Sequence, residues 1–330
     1  MNDPEQMKSH PLVSVLIPVY NSGKYLSQCL DSIINQTYRP IHVAIIDDGS
    51  TDDSLAISKD YASKYPFIEV STQRNSGVAV TRNNLLSKTK GDYSIYIDSD
   101  DWIESDMIEA LMDYICQYNL DIAICSSIPE HNDSVTIVDK SRQTPLIQNR
   151  EQIIKKFLFH KELNGSLWNK LVKTSLLHNL GFDPEISYGE DALFMWQVLQ
   201  RVDKVGTVST PYYHYRMNDA SISHQTFGPK KMSGHKVWAT IHAQTSRFWP
   251  QYEQIARASY AISDMWLMFY AALDRYPMDN NIRLFQKNLK DNIRLIYKSK
   301  LLSLPKMCMA YCLMVNYNFA GQLIKFIHKN

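Results

Sequence analysis

Residues 93–101 read Tyr-Ser-Ile-Tyr-Ile-Asp-Ser-Asp-Asp. The first five form a short apolar run of the kind that makes a buried strand. The last four place three carboxylates, Asp98, Asp100 and Asp101, where such a strand would leave its sheet. The same pattern recurs upstream. Val13–Val19 is an apolar run that ends in Tyr20-Asn21-Ser22-Gly23, and His42–Ile46 ends in Asp47-Asp48-Gly49-Ser50. Phe67–Ser71 is a third, shorter run, and Ile122–Cys125 follows downstream. Between the runs lie segments with helical spacing: Tyr25–Asn35, Ser54–Tyr65, Gly77–Lys88 and Met107–Tyr118. Strands and helices that alternate at these lengths predict an α/β domain with a mostly parallel sheet. In open sheets of that kind ligands bind at the carboxyl edge of the strands, which is where these polar clusters fall.

After Pro129 the rhythm changes to short strands, short helices and aromatic patches, and from about Phe227 the pattern is helical. With 45% hydrophobic and 21% charged residues, the 330-residue chain can build a sizeable core. A formal net charge of +1 argues against nucleic acid as a partner. The charge is unevenly spread. Residues 281–330 hold nine Lys/Arg and one acid, Asp291, so the body is acidic and the tail basic. Such a tail suits an anionic partner. Five scattered cysteines make neither a disulfide framework nor a zinc motif and suit a reducing compartment. The polar first ten residues do not read as a signal peptide. The longest apolar run in Leu301–Ala320 is nine residues, Met307–Val315. A membrane span needs about 20.

Three carboxylates in four residues repel one another, and a divalent cation relieves the repulsion. Mg²⁺ and Mn²⁺ take oxygen ligands, commonly one or two carboxylates plus substrate phosphates. The residues 98–101 therefore suit a nucleotide diphosphate, or else form an acidic turn before the next helix. Asp47-Asp48-Gly49 offers carboxylates to a ribose or base, or is an ordinary turn. Arg82 either faces a nucleotide or lies on the surface. Gly189-Glu190-Asp191 opens a helix whose dipole favours an ionised carboxylate. That suits a general base, or simply a cap.

Taken together, Val15-Leu16-Ile17-Pro18-Val19-Tyr20-Asn21, Asp47–Asp52, Asn75-Ser76-Gly77 with Arg82-Asn83, Asp98–Asp101 and Glu190-Asp191 resemble glycosyltransferase family 2, in order and spacing, over about residues 11–225. The resemblance implies the GT-A fold, with a nucleotide-sugar-binding domain at 11–227, a polar tail at 1–10 and a C-terminal helical, basic region at 228–330. It implies that Pro18 and Tyr20 line the nucleotide pocket, and that Asp48 accepts from the uracil or its ribose. Arg82 would lie near base and phosphates, Asp98 at the ribose and Asp100 on Mn²⁺ or Mg²⁺, with Asp101 supporting the loop. Asp191 would be the catalytic base, and Glu190 would orient it or touch the donor sugar. Trp168-Asn169-Lys170 resembles an acceptor-side element, in which Trp168 stacks a sugar or is simply core. His214-Tyr215-Arg216, followed by Ser221, resembles the segment that closes over the diphosphate, with Arg216 its cation and His214 a diphosphate or metal contact.

The activity implied is metal-dependent transfer of one sugar, with inversion, from a nucleotide sugar (a UDP-sugar) to a glycan acceptor, in bacterial capsule, O-antigen or exopolysaccharide synthesis. A lipid-linked acceptor and the basic tail together place the expected enzyme in the cytoplasm, peripheral at the inner face of the plasma membrane and on its anionic surface. Two alternatives stand beside it: a processive polysaccharide synthase of the same family, and a non-catalytic nucleotide-sugar binder. Synthases carry a QxxRW motif beside membrane helices. Gln244-Thr245-Ser246-Arg247-Phe248-Trp249 misses it by one residue and reads as part of an amphipathic helix.

Overall fold

The computed structural model describes residues 10–130, 143–159, 163, 165–217 and 226–321. Ser221, the tail residues Leu323–Lys329 and the polar residues 1–9 lie outside them. The chain forms two compact units. The first comprises the described residues up to Arg150, Leu167–Gly181 and 201–217; the second comprises those of 151–166, Phe182–Gln200 and 226–321.

In the first unit β1 (Val13–Val19), β2 (Ile41–Asp47), β3 (Ile68–Thr72) and β4 (Tyr93–Tyr96) lie in the order β3-β2-β1-β4, all parallel. β1 and β2 are buried almost end to end, as strands covered on both faces must be. Helices α1 (Gly23–Ile34), α2 (Ser54–Lys64) and α3 (Val78–Ser87) make the crossovers. On α1 the residues at helical spacing, Leu26, Cys29, Leu30 and Ile33, are the buried ones. The register places Val19 beside Asp47 and Asp47 beside Thr72. The residues that follow these strands therefore emerge on one edge.

Beyond β4 the sheet is mixed. β6 (Ile122–Glu130) follows α4 (Met107–Tyr118) and pairs in parallel with β9 (Lys204–Arg216). The strands β5 (Trp102–Ile103) and β7 (Leu146–Asn149) run antiparallel to β9. β8 (Lys170–Lys173) runs antiparallel to both β4 and β6. The mostly parallel sheet expected from the sequence is thus wholly parallel in its first four strands and mixed beyond them.

In the second unit α5 (Arg150–Leu158) and α6 (Glu190–Leu199) accompany the C-terminal helices α7 (Pro229–Phe248), α8 (Glu253–Leu273), α9 (Asn280–Ser299) and α10 (Leu304–Val315). The near-miss synthase motif lies at the end of α7, and Gln244 there accepts from the Trp196 indole N–H at 2.8 Å. Ile282, Phe285, Leu289 and Ile296 of α9 are buried in the core with Met265, Met268, Met307 and Leu313. The apolar face of this basic helix is therefore spent inside its own bundle. Arg283, Lys287, Lys290, Arg294 and Lys298 line its exposed side.

A buried polar cluster crosses three of these helices. Asp264 of α8 is fully buried and meets His235 Nδ1 of α7 at 2.7 Å. Its other oxygen accepts from the Asn288 amide of α9 at 2.7 Å, and the Tyr260 hydroxyl lies 2.9 Å from His235 Nε2. Among the described residues, no helix is long and apolar enough to cross a membrane.

Candidate active site

The segment 98–101 leaves β4 as a tight turn in which Asp101 N–H donates to the Asp98 carbonyl at 3.1 Å. Its three carboxylates have different surroundings. Asp101 is 1% exposed, and both of its oxygens are held by β9. Oδ1 accepts from the Arg216 backbone N–H and Oδ2 from the Tyr213 hydroxyl, each at 2.7 Å. Burial, then the charges of Asp100 and Asp98, push the Asp101 carboxyl well above the usual carboxylate range, while its two donors act in the opposite sense. Asp98 is partly exposed, with Oδ1 3.5 Å from Arg82 Nη2. Asp100 is partly exposed as well. Beneath the turn, burial and the same three aspartates raise the Cys29 thiol.

The neighbouring strand ends are tied to one another. Gly49 has φ +72°, and a Cβ there would lie 2.9 Å from the Asn75 nitrogen, so only glycine fits. Asp48 is buried. Its Oδ1 accepts from the Gln73 amide and the Ser76 N–H, both at 2.8 Å, and its Oδ2 from the Gly77 N–H at 2.9 Å. Asp48 thereby fixes the turn that starts α3, the helix that carries Arg82. The side-chain oxygen of Asn21 accepts from Thr51 N–H at 2.8 Å and joins the β1 and β2 ends. Tyr20 projects from this edge, 51% exposed, and Pro18 is half-buried. A cavity of about 520 Å³ lies elsewhere in the unit, lined by Asn83, Thr174, His178 and Gly181 among others and by none of these strand-end residues.

β9 carries the last group. Arg216 stacks its guanidinium between the rings of Tyr25 (4.6 Å) and Trp102 (4.7 Å). Its Nε donates to the Asp100 carbonyl at 2.9 Å and its Nη2 to Gln28 at 2.5 Å. His214 is 1% exposed. Its Nε2 lies 2.8 Å from Glu104 and its Nδ1 2.8 Å from Glu130, so both ring nitrogens are engaged by carboxylates. Trp168 stacks on Tyr213 and Tyr215 at centroid distances of 4.4 and 5.6 Å. Asn169 and Lys170 are buried, with Lys170 Nζ donating to Asn169 Oδ1 at 2.7 Å. The structure thus brings Asp98, Asp100, Arg82 and Arg216 together around one turn, while Asp48 anchors the start of the helix that carries Arg82. Tyr213 on Asp101, Trp102 and Tyr25 on Arg216, and Glu104 and Glu130 on His214 support these residues, and the sequence reading missed them. The aromatic run Tyr212-Tyr213-His214-Tyr215 was the one signal available.

Glu190 and Asp191 belong to the second unit, in the first turn of α6. Gly189 before them has φ +82° and lets the chain turn into the helix. Asp191 Oδ1 accepts from Ala192 N–H at 2.8 Å. Burial pushes the adjacent Tyr188 hydroxyl up to about 12, helped by Tyr270 and by the charges of Asp191 and Glu190.

The family model "Glycosyl transferase family 2" matches residues 14–181, half of the chain. The chain belongs to glycosyltransferase family 2. Among curated relatives of this family 2 chain, EpsH of Bacillus subtilis is 36% identical over 217 residues, 64% of this chain and 62% of EpsH. Glycosyltransferase GlyA of Streptococcus pneumoniae is 34% identical over 220 residues, 64% of this chain and 31% of GlyA. The cholesterol galactosyltransferase of Borreliella burgdorferi is 32% identical over 235 residues, 67% of this chain and 65% of that protein. The chain therefore spans less than two thirds of each. Among solved structures, S. aureus TarS 1–349 in complex with UDP-GlcNAc superposes with a TM-score of 0.68 at 18% identity, over 96% of this chain and 91% of that one. The mannosyltransferase PcManGT from Pyrobaculum calidifontis, in complex with GDP-Man and Mn²⁺, gives 0.54 at 14% identity, over 98% and 89%. These likenesses show the fold, which is GT-A.

Proposed function

We propose that this family 2 chain transfers a single sugar, with inversion, from a UDP-sugar to a glycan acceptor on a lipid carrier, in capsule, O-antigen or exopolysaccharide synthesis. The observation that carries the reading is the strand-end system of the first unit. There two partly exposed carboxylates, Asp98 and Asp100, lie on a loop held from below, beside Arg82 and the Asp48-anchored turn. The UDP-GlcNAc complex of TarS and the teichoic acid role in the name of GgaB, a B. subtilis relative 30% identical over 226 residues, support the donor and acceptor classes.

The donor set fits a divalent cation. It consists of hard oxygens, with the partly exposed carboxylates of Asp98 and Asp100 two residues apart on one turn. Among the described residues no three His, Cys, Asp or Glu side chains form a closed metal cage. An open site of one or two carboxylates completed by diphosphate oxygens is the usual arrangement for Mg²⁺ or Mn²⁺. Asp100 would hold the ion, with Asp98 at the ribose beside it, and the ion would supply charge to offset that of the departing diphosphate. Mn²⁺ in the PcManGT complex supports this reading.

In the reaction Tyr20 and Pro18 would cover the base, and Asp48 and Arg82 would keep the turn and the phosphates in place. Arg216 adds a fixed positive charge under the Asp98–Asp101 loop. Asp191, oriented by Glu190, takes the proton of the acceptor hydroxyl as that oxygen bonds to the anomeric carbon. The bond from that carbon to the diphosphate oxygen breaks, and its electron pair leaves with UDP. One displacement inverts the centre. Trp168 would hold the acceptor side. We assign catalysis to 11–227 and attachment to an anionic membrane, at the cytoplasmic face, to 228–330, whose basic side chains on α9 point outward.

The test is a panel of nucleotide sugars offered to the full chain with Mn²⁺ and a lipid-linked acceptor extract, read by UDP release and by NMR of the product's anomeric coupling. A β product from an α-linked gluco- or galacto-configured UDP donor is expected. Transfer from GDP- or dTDP-sugars alone would overturn the donor assignment, and an α product the inversion.

A further inference from the structure

Asp101 is the point at which the Asp98–Asp101 loop is pinned to the sheet, and Tyr213 is its side-chain donor. The Tyr213 hydroxyl donates to Asp101 Oδ2 at 2.7 Å and accepts the Asp98 backbone N–H at 3.3 Å. One hydroxyl thus bridges the first and last residues of the four-residue turn. The ring cannot swing away. Tyr213 is fully buried, pairs in register with Ile103 on β5, and carries Trp168 stacked on its face at 4.4 Å. Burial, then the charge of Asp101, push the phenol well above its ordinary range, so it stays a hydroxyl that can donate. The other oxygen of Asp101 is held by the backbone of Arg216, three residues along the same strand.

We propose that Tyr213 is a positioning residue for the nucleotide-diphosphate and metal loop. It fixes the spacing between Asp98 and Asp100 by bridging Asp98 N–H and the Asp101 carboxylate, and touches neither donor nor acceptor itself. The inference rests on the donor reading above and goes beyond it. It separates the three aspartates into two that face a ligand and one that serves as an anchor, and it places the control of their spacing on β9.

The consequence is selective. Tyr213→Phe keeps the ring, its stack on Trp168 and the volume, and removes only the bridging oxygen. A bond from a hydroxyl to a carboxylate is worth about tenfold or more in an equilibrium constant. The loss should appear where Asp98 and Asp100 must act together, in the gain in UDP affinity that Mn²⁺ brings. UDP binding in EDTA, which does not require Asp98 and Asp100 to act together, should change less than about twofold.

Calorimetric titration of UDP into the full chain, with Mn²⁺ and with EDTA, tests this for the wild type, Tyr213→Phe, Asp101→Leu, which has no acceptor, and the double variant. The expected result is a drop of about tenfold in the Mn²⁺ enhancement for each single variant, and no further drop in the double variant, because both break one bridge. A general weakening of the fold would lower affinity in EDTA as well. The inference is overturned if Tyr213→Phe keeps the wild-type Mn²⁺ enhancement, if affinity in EDTA falls equally, or if the two single effects add. If Tyr213→Phe does not fold, Asp101→Leu with unchanged enhancement overturns it alone. A wild type whose UDP affinity ignores Mn²⁺ is a different failure, that of the donor and metal reading.

Discussion

The imidazole of His214 lies flat against the indole of Trp102, centroids 4.9 Å apart and planes 7° from parallel. The two residues are register partners across β5 and β9. The ring is also gripped edge-on by Glu104 and Glu130. A cation-binding histidine would need a nitrogen directed at its ligand, and here both are committed to carboxylates of the same unit.

His214→Ala should therefore act first on stability. It removes the shared partner of two carboxylates, of which Glu130 is buried. Leaving a buried group without its hydrogen-bond partner costs about 1–3 kcal/mol. Urea unfolding at neutral pH measures it. A loss below about 0.5 kcal/mol, together with weaker UDP binding, would instead make His214 a ligand-facing residue.

Asp191→Asn is nearly isosteric and still able to accept the Ala192 N–H that Asp191 holds at 2.8 Å. It cannot take a proton. We expect turnover to fall by roughly 10²–10⁴-fold with UDP affinity unchanged. Steady-state rates with the acceptor extract decide it, and an unaltered kcat would leave Asp191 as a helix cap.

Acid should loosen the β2–β3 edge. Lys90, then Lys88, hold the Glu69 carboxyl down to about 2, through contacts of 2.6 and 3.2 Å. A carboxyl depressed in the folded state stabilises above its ordinary value of 4.5, and that stabilisation is lost as pH falls from 4.5 towards about 2. The side chain is 35% exposed, so solvent screening leaves about 1 kcal/mol. Glu69→Gln should be less stable than the parent by that amount at neutral pH, and the gap should close in acid. Thermal melts across that range would refute the assignment if the gap stayed constant.

Attachment to anionic vesicles should depend on charge more than on insertion, because Ile282, Phe285, Leu289 and Ile296 of α9 are already buried. Each Lys or Arg near such a surface adds about 1 kcal/mol. The full chain should sediment with phosphatidylglycerol vesicles at low salt and be released by high salt. Reversing Lys287, Lys290 and Arg294 to Glu should abolish the sedimentation and leave the melting temperature nearly unchanged. A variant that still sediments would move the contact to the exposed Leu304, Val315 and Phe319.

The half of the fold built from local periodicity was legible. Val13–Val19 and Met107–Tyr118 coincide with β1 and α4 residue for residue, because continuous burial and helical spacing are written within each segment. β5 and β9 were not legible. Trp102-Ile103 is two residues long, and β9 owes its 13 residues to pairing with partners 55–112 positions away along the chain. The candidate residues were legible as types at strand ends, but their division of labour was not. Nothing in Asp98-Ser99-Asp100-Asp101 distinguishes the buried aspartate from its neighbours until Tyr213 and Arg216 arrive from another strand.

The Asp264–His235–Asn288 cluster limits how α7, α8 and α9 can be assembled. Leucine, isoleucine and methionine side chains tolerate a helix slid by one turn, since one greasy contact replaces another. A carboxylate at 0% exposure does not: one turn out of phase it would face hydrocarbon with its imidazole and amide partners out of reach. The cluster works as a key that admits a single alignment of three otherwise interchangeable cylinders, and so decides which side of α9 turns its lysines and arginines towards water.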